Sequence, residues 1–581
     1  MSIASPSPEG QRVSLPAWIP GSYMIRDFAR NIVTIEGRSE GKPVALEKLD
    51  KQTWQAAPCS GVLELHYTVY AWDLSVRSAH LDTTHGYFNG TSVFLRVHGQ
   101  DEQPCSVELL PPQGESYSQW RVATTLPALD AAAYGFGFYS AADYDELIDH
   151  PVEMGDFTLI EFEACGIPHA MALTGRHYAD IERLKRDLTR ICEYNISLFG
   201  EAPFERYLFQ TMVVGNGYGG LEHRSSTSLL CSRDDLPRPG DETVSDNYRG
   251  FLGLCSHEYF HSWNVKRIKP AAFLPYDLAQ EVHTPLLWAF EGFTAYYDDI
   301  SLVRCGLIPA QSYLELLGQT ITRVIRGSGR LKQSVSESSF DAWTKFYKQD
   351  ENGPNAIVSY YTKGSLVALA LDLMLRNQSD GKRSLDDVMR TLWQRHGKPH
   401  VGVSPAQMEA LVAEVFGSEL GDFFDKALRG TEDLPLAELF KLVGVDYRLR
   451  TATSNSDKGG KAGKENGETP LALGVRYGSD PLGAKLLNVF DGSAAQTAGL
   501  AAGDIVVAVD GLRATQESIE KLLAFHRAKS SVVMHAFRRD ELMEFTVPIR
   551  QAPLDTCYLV AEETASDTQL LLRRGWLGVE A

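Results

Sequence analysis

The chain has 581 residues, 44% apolar and 23% charged, which suits several soluble globular domains and excludes disorder as the dominant state. With 56 basic against 75 acidic side chains the net charge is −19, which repels phosphate backbones and argues against nucleic acid as a main partner. No apolar run approaches the ~18 residues of a spanning helix, the N-terminus lacks the apolar core of a signal peptide, and the eight cysteines form no Cys-x-x-Cys pair, so the expectation is a cytoplasmic protein with free thiols and no membrane partner.

In chain order, residues 1–170 read as strand. Segments 61–70 (GVLELHYTVY) and 92–97 (SVFLRV) are rich in β-branched and aromatic residues, and clusters of Pro, Gly, Ser and Asp separate such segments. The pattern predicts an all-β N-terminal domain. Near Gly175 the period changes, and Ile181, Leu184, Leu188, Ile191 and Cys192 follow helical spacing within 178–199. A strand at 208–214 precedes helices over 248–264, 309–325, 363–376, 384–395, 404–416 and 420–428. Residues 171–450 are therefore expected to form a mainly helical domain with a small sheet at its front. Just after the 208–214 strand, residues 218–223 read YGGLEH. Gly217, Gly219 and Gly220 permit close backbone approach there, and Glu222 is a carboxylate beside a strand that could pair with an ammonium group.

Residues 257–261 read HEYFH. On a helix, positions i and i+4 share a face, so His257 and His261 can converge on one cation. Glu258 lies beside the first of them, where its carboxylate can take the proton of a water that a divalent cation has made acidic. The flanking Leu252, Leu254, Tyr259 and Phe260 predict burial, and buried imidazoles beside a carboxylate call for a compensating ion. Residues 287–297 (LWAFEGFTAYY) read as a further helix whose only acid, Glu291, sits in an apolar run. It is the candidate third ligand. Two His and one Glu with one open position is the composition of a catalytic rather than a structural zinc site.

Residues 359–365 (SYYTKGS) open another helix with two adjacent phenols, Tyr360 and Tyr361. Residues 451–470 contain no large apolar side chain and are expected to be a flexible linker or loop tip. Residues 471–552 regain strand and turn signals, with Ile505, Val507 and Val509 alternating before an Asp510-Gly511 turn and a helix expected at 516–526. A C-terminal tail, 553–581, follows.

The segments HEYFHSWNVKRIKP and LWAFEGFTAYY resemble the glycyl aminopeptidase family of zinc metallopeptidases, PDZ-containing relatives of aminopeptidase N and thermolysin, and LPAWIPGSYMIRDFA at 15–29 is similar to the family's opening motif. The resemblance runs nearly end to end. It implies a multidomain chain with an N-terminal β-sandwich and a thermolysin-like catalytic domain. It also implies one zinc ion per chain, with His257, His261 and Glu291 as metal ligands and Glu258 as general base. YGGLEH is similar to the exopeptidase motif of aminopeptidase N. That similarity makes Glu222 the acid that binds the substrate α-amine, with Gly219 and Gly220 beside it; His223 departs from the Asn of that motif. Tyr361-Thr362-Lys363-Gly364 is similar to the Tyr-x-Lys-Gly motif whose phenol stabilises an oxyanion, a role that favours Tyr361 over Tyr360. The run DGSAAQTAGLAAGDIVVAVDG at 491–511 resembles a PDZ domain, a fold that adds an extended peptide as a strand, with Pro481-Leu482-Gly483 as the expected carboxylate-binding loop.

The leading expectation is a zinc aminopeptidase acting on peptides with a free N-terminus, with glycine or another small first residue implied by the resemblance alone. The alternatives are an endopeptidase fed by the PDZ-like groove and a non-enzymatic PDZ-containing binding protein. Glu222 weighs against the former, and the intact set His257, Glu258, His261, Glu291 and Tyr361 weighs against the latter.

Overall fold

The computed structural model describes residues 1–463 and 469–578, so 464–468 of the expected linker and 579–581 of the expected tail lie outside the described residues. The chain divides into two units: Met1–Val282 with Met389–Ser404, and His283–Val388 with Pro405–Ala581.

The first unit begins with two four-stranded antiparallel sheets. One runs Ser2–Ile3, Leu63–Val69, Ile32–Ser39, Lys42–Val44 and the other Arg96–Val97, Arg12–Ser14, Thr53–Ala56, Leu46–Lys48. Alternate residues of both, among them Val13, Trp54, Leu63 and Leu65, enter one shared apolar core. The all-β expectation for this region holds. Of the strand expected over 92–97 only Arg96–Val97 forms, because Gly90–Ser92 turns as a 3-10 helix.

A mixed five-stranded sheet follows in the order Thr158–Ala164, Ile167–Thr174, Tyr207–Val214, Ser226–Ser232, Tyr218–Glu222. The middle three strands run parallel to one another, and the 19-residue helix Ile181–Phe199 makes the crossover between the first two of them. The boundary expected at 170 falls inside the strand Ile167–Thr174. Residues on either side of it are equally strand-like, so composition carries no break there. Tyr218–Glu222 is the last strand, antiparallel to Ser226–Ser232.

The second unit is mainly helical. Its helices include Leu287–Phe290, Gly292–Arg304, Ala310–Arg326, Thr362–Gln378, Pro405–Phe416 and Leu436–Leu442. The helix expected over 287–297 is interrupted at Glu291 (φ −97°, ψ −41°), although Ala295 N–H still bonds the Glu291 carbonyl at 2.7 Å. Beyond it, Val475–Ser479, Ala484–Val489, Ile505–Val509, Ser531–Arg538 and Glu541–Pro548 build an antiparallel sheet around the helix Ile519–Phe525, with its own apolar core.

Two segments depart from expectation. Within 451–470, Gly459 and Gly460 are buried. A β-carbon on Gly460 would come within 2.3 Å of the Glu315 carbonyl oxygen, and one on Gly459 within 2.2 Å of Thr322 Oγ1. Asp457, bonded by Arg450 at 2.6 Å, anchors the same stretch. Low apolar content predicts a loose linker, but glycine backbone packed on the helix Ala310–Arg326 needs no apolar side chain. The tail is structured too. Leu554–Ala561 pairs antiparallel with Val445–Thr451, and Asp567–Leu577 is a helix whose Trp576 is fully buried and donates to Tyr296 Oη at 3.1 Å. Among the described residues no helix is long and apolar enough to cross a membrane. None of the eight cysteines, all among the described residues, is in a disulfide.

Candidate active site

In the first unit the site is built on the histidine helix, Asp246–Phe260. Ser245 caps its N-terminus by accepting from Tyr248 N–H at 3.1 Å. Leu252, Cys255, Tyr259 and Phe260 are fully buried and fix its rotation. The helix is shorter than expected and ends at Phe260, with His261 as C-cap. The i→i+4 bond from His261 N–H to the His257 carbonyl (3.2 Å) nonetheless keeps the two imidazoles on one face. Their Nε2 atoms stand 3.0 Å apart. His261 Nδ1 lies 2.7 Å from the Asn264 carbonyl oxygen, which can only accept, so Nδ1 carries the proton and Nε2 presents its lone pair. The orienting group is a main-chain carbonyl, which leaves no side-chain signal in the sequence.

Glu258 and Glu222 are 5% and 3% exposed. Gly220 and Glu222 sit two apart on the last strand and so share a face. A β-carbon on Gly220 would lie 2.0 Å from Glu258 Oε1, so any side chain there would displace the Glu258 carboxylate. One ligand atom each of Glu222, Glu258 and His261 lies within 4.8 Å of the other two. The N-terminal motif reaches the same place. Ile19–Ser22 is a tight turn in which Ser22 N–H bonds the Ile19 carbonyl (3.0 Å), and Gly21 adopts φ +95°. A β-carbon on Gly21 would come within 2.5 Å of Glu222 Oε2. Pro20-Gly21 is a readable turn signal, but its contact with Glu222 requires the fold.

His223 points into a charged network instead. Asp149 Oδ1 accepts from Lys266 Nζ at 2.6 Å and faces His223 Nδ1 at 3.3 Å, and Asp149 Oδ2 takes the Arg224 backbone N–H at 3.0 Å. Burial works against the Asp149 charge, but Lys266, His223 and Arg224 outweigh it and hold its pKa well below the usual carboxylate range. Burial, the largest influence on His223, lowers its pKa. The network ties the residues after Glu222 to those after the histidine helix.

In the second unit, Glu291 is 2% exposed and occupies the break between Leu287–Phe290 and Gly292–Arg304. Tyr361 is the N-cap residue of Thr362–Gln378. Tyr360 is fully buried, whereas Tyr361 is half-buried, with its ring stacked on Phe346 at 5.5 Å and its hydroxyl 3.5 Å from that of Tyr347. Tyr347, a second phenol beside Tyr361, has no motif that would announce it. Lys363 is buried and donates from Nζ to the Glu432 carbonyl at 3.2 Å, so the lysine of Tyr-x-Lys-Gly serves structure.

Comparison with known proteins agrees with the sequence reading. The family model described as the peptidase M61 N-terminal domain matches residues 1–156, and that described as M61 glycyl aminopeptidase matches residues 250–367, a stretch holding His257, Glu258, His261, Glu291 and Tyr361. A crystal structure of an aminopeptidase N family protein from Idiomarina loihiensis is 46% identical, over 99% of this chain and 96% of that one, with a TM-score of 0.95. An M1 zinc metallopeptidase from Deinococcus radiodurans aligns at 13% identity over 75% of this chain and 90% of that one, with a TM-score of 0.47. No curated protein matches. The chain is therefore a peptidase that belongs to the M61 glycyl aminopeptidase family.

Proposed function

We propose that the peptidase is a zinc aminopeptidase that removes the first residue of peptides with a free N-terminus. The observation that carries the reading is the shared face of the last strand and the histidine helix: Glu222 and Glu258, two buried carboxylates, crowd the lone-pair nitrogen of His261. Two buried carboxylates beside an imidazole favour positive charge close by, and a metal ion together with a substrate ammonium would supply charge of that sign.

His257, His261 and Glu291 would hold one zinc ion, as family membership suggests, because two imidazoles with one carboxylate are the donor set of a catalytic zinc. When bound, the ion supplies Lewis acidity toward water and a peptide carbonyl. Glu258 accepts the proton of the attacking water and passes it to the leaving amine. Tyr361 donates its hydroxyl proton in a hydrogen bond to the oxygen that gains charge as the carbonyl becomes tetrahedral. Glu222 pairs with the α-ammonium and fixes the distance from the chain end to the scissile bond, while Gly219 and Gly220 keep the strand backbone close to the peptide. Glycine or another small first residue is the preference we assign, on family membership.

The sheet around Ile519–Phe525 is read as a PDZ-like module. Val475–Ser479 is one of its two edge strands, with Tyr477 packed on the core that includes Ile519 and Leu523, and a peptide tail adding to the module would pair there. Pro481-Leu482-Gly483 is the hairpin turn between the first two strands, closed by Gly483 N–H to the Asp480 carbonyl at 3.2 Å, and so does not precede the edge strand as a carboxylate-binding loop must.

The deciding experiment compares free and N-acetylated peptides in wild type and Glu222→Ala. The wild type should strongly prefer the free amine, and the variant should narrow that preference while keeping its zinc. Equal cleavage of both substrates by the wild type would make the enzyme an endopeptidase.

A further inference from the structure

The hairpin Ala79–Leu81/His85–Phe88 in the first unit carries a second donor set that peptide hydrolysis does not use. His80 pairs with Tyr87 and Leu81 with Gly86, and Asp82 N–H bonds the His85 carbonyl across the turn at 3.0 Å. Side chains alternate along a strand, so His80, Asp82, His85 and Tyr87 share one face, although the sequence HLDTTH has no helical metal spacing. His80 and His85 are 6% and 2% exposed, with rings stacked at 5.1 Å. His80 Nε2 lies 3.3 Å from Asp82 Oδ2 and His85 Nδ1 lies 3.8 Å from Asp82 Oδ1.

Two observations set this group apart from an ordinary Asp-closed turn. Asp82 Oδ1 already accepts from Thr84 N–H and Thr84 Oγ1, both at 2.6 Å, and from His85 N–H at 3.1 Å, so the carboxylate is fixed before either imidazole reaches it. His85 Nδ1 is buried, makes no hydrogen bond and faces that carboxylate. Donor atoms at about 2.0–2.2 Å from a tetrahedral zinc ion stand roughly 3.3–3.6 Å from one another; the His80 Nε2–Asp82 Oδ2 separation falls in that range, and one ligand atom of each of the three residues lies within 4.8 Å of the other two. A cavity of about 20 Å³ lined by His80, His85, Tyr87, Glu153, Gln210 and Ser228 adjoins the rings, with room for about one water molecule.

From this geometry we infer that His80, Asp82 and His85 bind a second divalent cation of the zinc class, which pins the hairpin rather than taking part in hydrolysis. The hairpin and the residue pair before it reach the strands of the candidate site: Tyr87 Oη donates to Ser228 Oγ at 2.6 Å, and Arg77 Nη2 donates to the Gly220 carbonyl at 3.4 Å. Binding here therefore reads out as stability of the first unit.

The test is metal analysis of the untagged full-length protein after zinc loading and dialysis, with melting temperature recorded alongside. The wild type should hold two zinc equivalents, and His257→Ala and His85→Ala should each hold one. Asp82→Asn keeps the turn's acceptor and guards against simple misfolding in His85→Ala. It should weaken the second equivalent by about tenfold or more and lower the melting temperature in zinc. A single equivalent that His257→Ala removes and His85→Ala leaves would overturn this inference and spare the catalytic site. A single equivalent with the opposite behaviour would spare this inference and overturn the catalytic assignment.

Discussion

Gly292 lies so close to Gly364 that a β-carbon on Gly292 would come within 2.6 Å of the Gly364 carbonyl carbon. These two glycines let the helices Gly292–Arg304 and Thr362–Gln378 cross at backbone distance, and each closely follows a residue proposed for the site: Glu291 directly before Gly292, Tyr361 three residues before Gly364. Gly292→Ala should force the helices apart, at about 1–3 kcal/mol of overpacking, and lower turnover as well. Urea melts and rates at saturating substrate check this. A variant with unchanged stability and rate would show that the crossing tolerates a methyl group.

Glu258→Gln should retain zinc and fold normally while turnover falls by roughly 10²–10⁴-fold, because the amide keeps the shape and loses the base. Gly220→Ala should damage turnover by another route, since its methyl group must displace the Glu258 carboxylate. Near wild-type rates in Glu258→Gln would assign the proton to a different group.

Tyr361→Phe should cost roughly 10²–10³-fold in kcat with little effect on KM, as expected for a hydroxyl acting on charge that develops in the transition state. Tyr360 is fully buried, so Tyr360→Phe should keep most activity. The reverse pattern would exchange their roles.

Lys266→Met should be severe for stability. It leaves Asp149 buried without its closest cation, at about 3–5 kcal/mol near neutral pH. The Asp149 pKa is depressed in the fold, so its ion pairs contribute fully above the unfolded carboxyl pKa of about 3.9, and that contribution fades as pH falls through the folded value. The gap between wild type and variant should therefore shrink in acid. Chemical melts at several pH values measure it, and a gap independent of pH would place the loss elsewhere.

The legible part of the site is the part carried by local spacing. His257 and His261 are four apart on a helix, and Glu291 is an acid in an apolar run, so both are readable from residue order alone. Residue order makes Glu222 a carboxylate beside a strand, but which face it takes depends on alternation with Gly220 and on the register with Ser226–Ser232. Three features escaped for physical reasons. The Asn264 carbonyl is main chain, the Gly459-Gly460 contact replaces side-chain burial with backbone approach, and the His80–Asp82–His85 set exists only once two strands pair. The turn at Pro481–Gly483 lies between two strands rather than ahead of the edge, because strand order, not composition, decides which strand is an edge.

The pairing of Val445–Thr451 with Leu554–Ala561 makes the sheet-bearing module an insertion held at both ends. The chain enters the module from one strand of a ribbon and leaves it into the other, and Thr451 and Leu554 face one another across that ribbon. Shortening the chain from its C-terminus would thus strip out the helix bearing Trp576 and then the strand Leu554–Ala561, both integral to the helical unit, before touching the module. Excision isolates the module's contribution only if the cut falls beyond Gly460, so that Asp457, Gly459 and Gly460 stay on the helix Ala310–Arg326; a linker from there to Leu554 preserves the ribbon and keeps Trp576 in its socket.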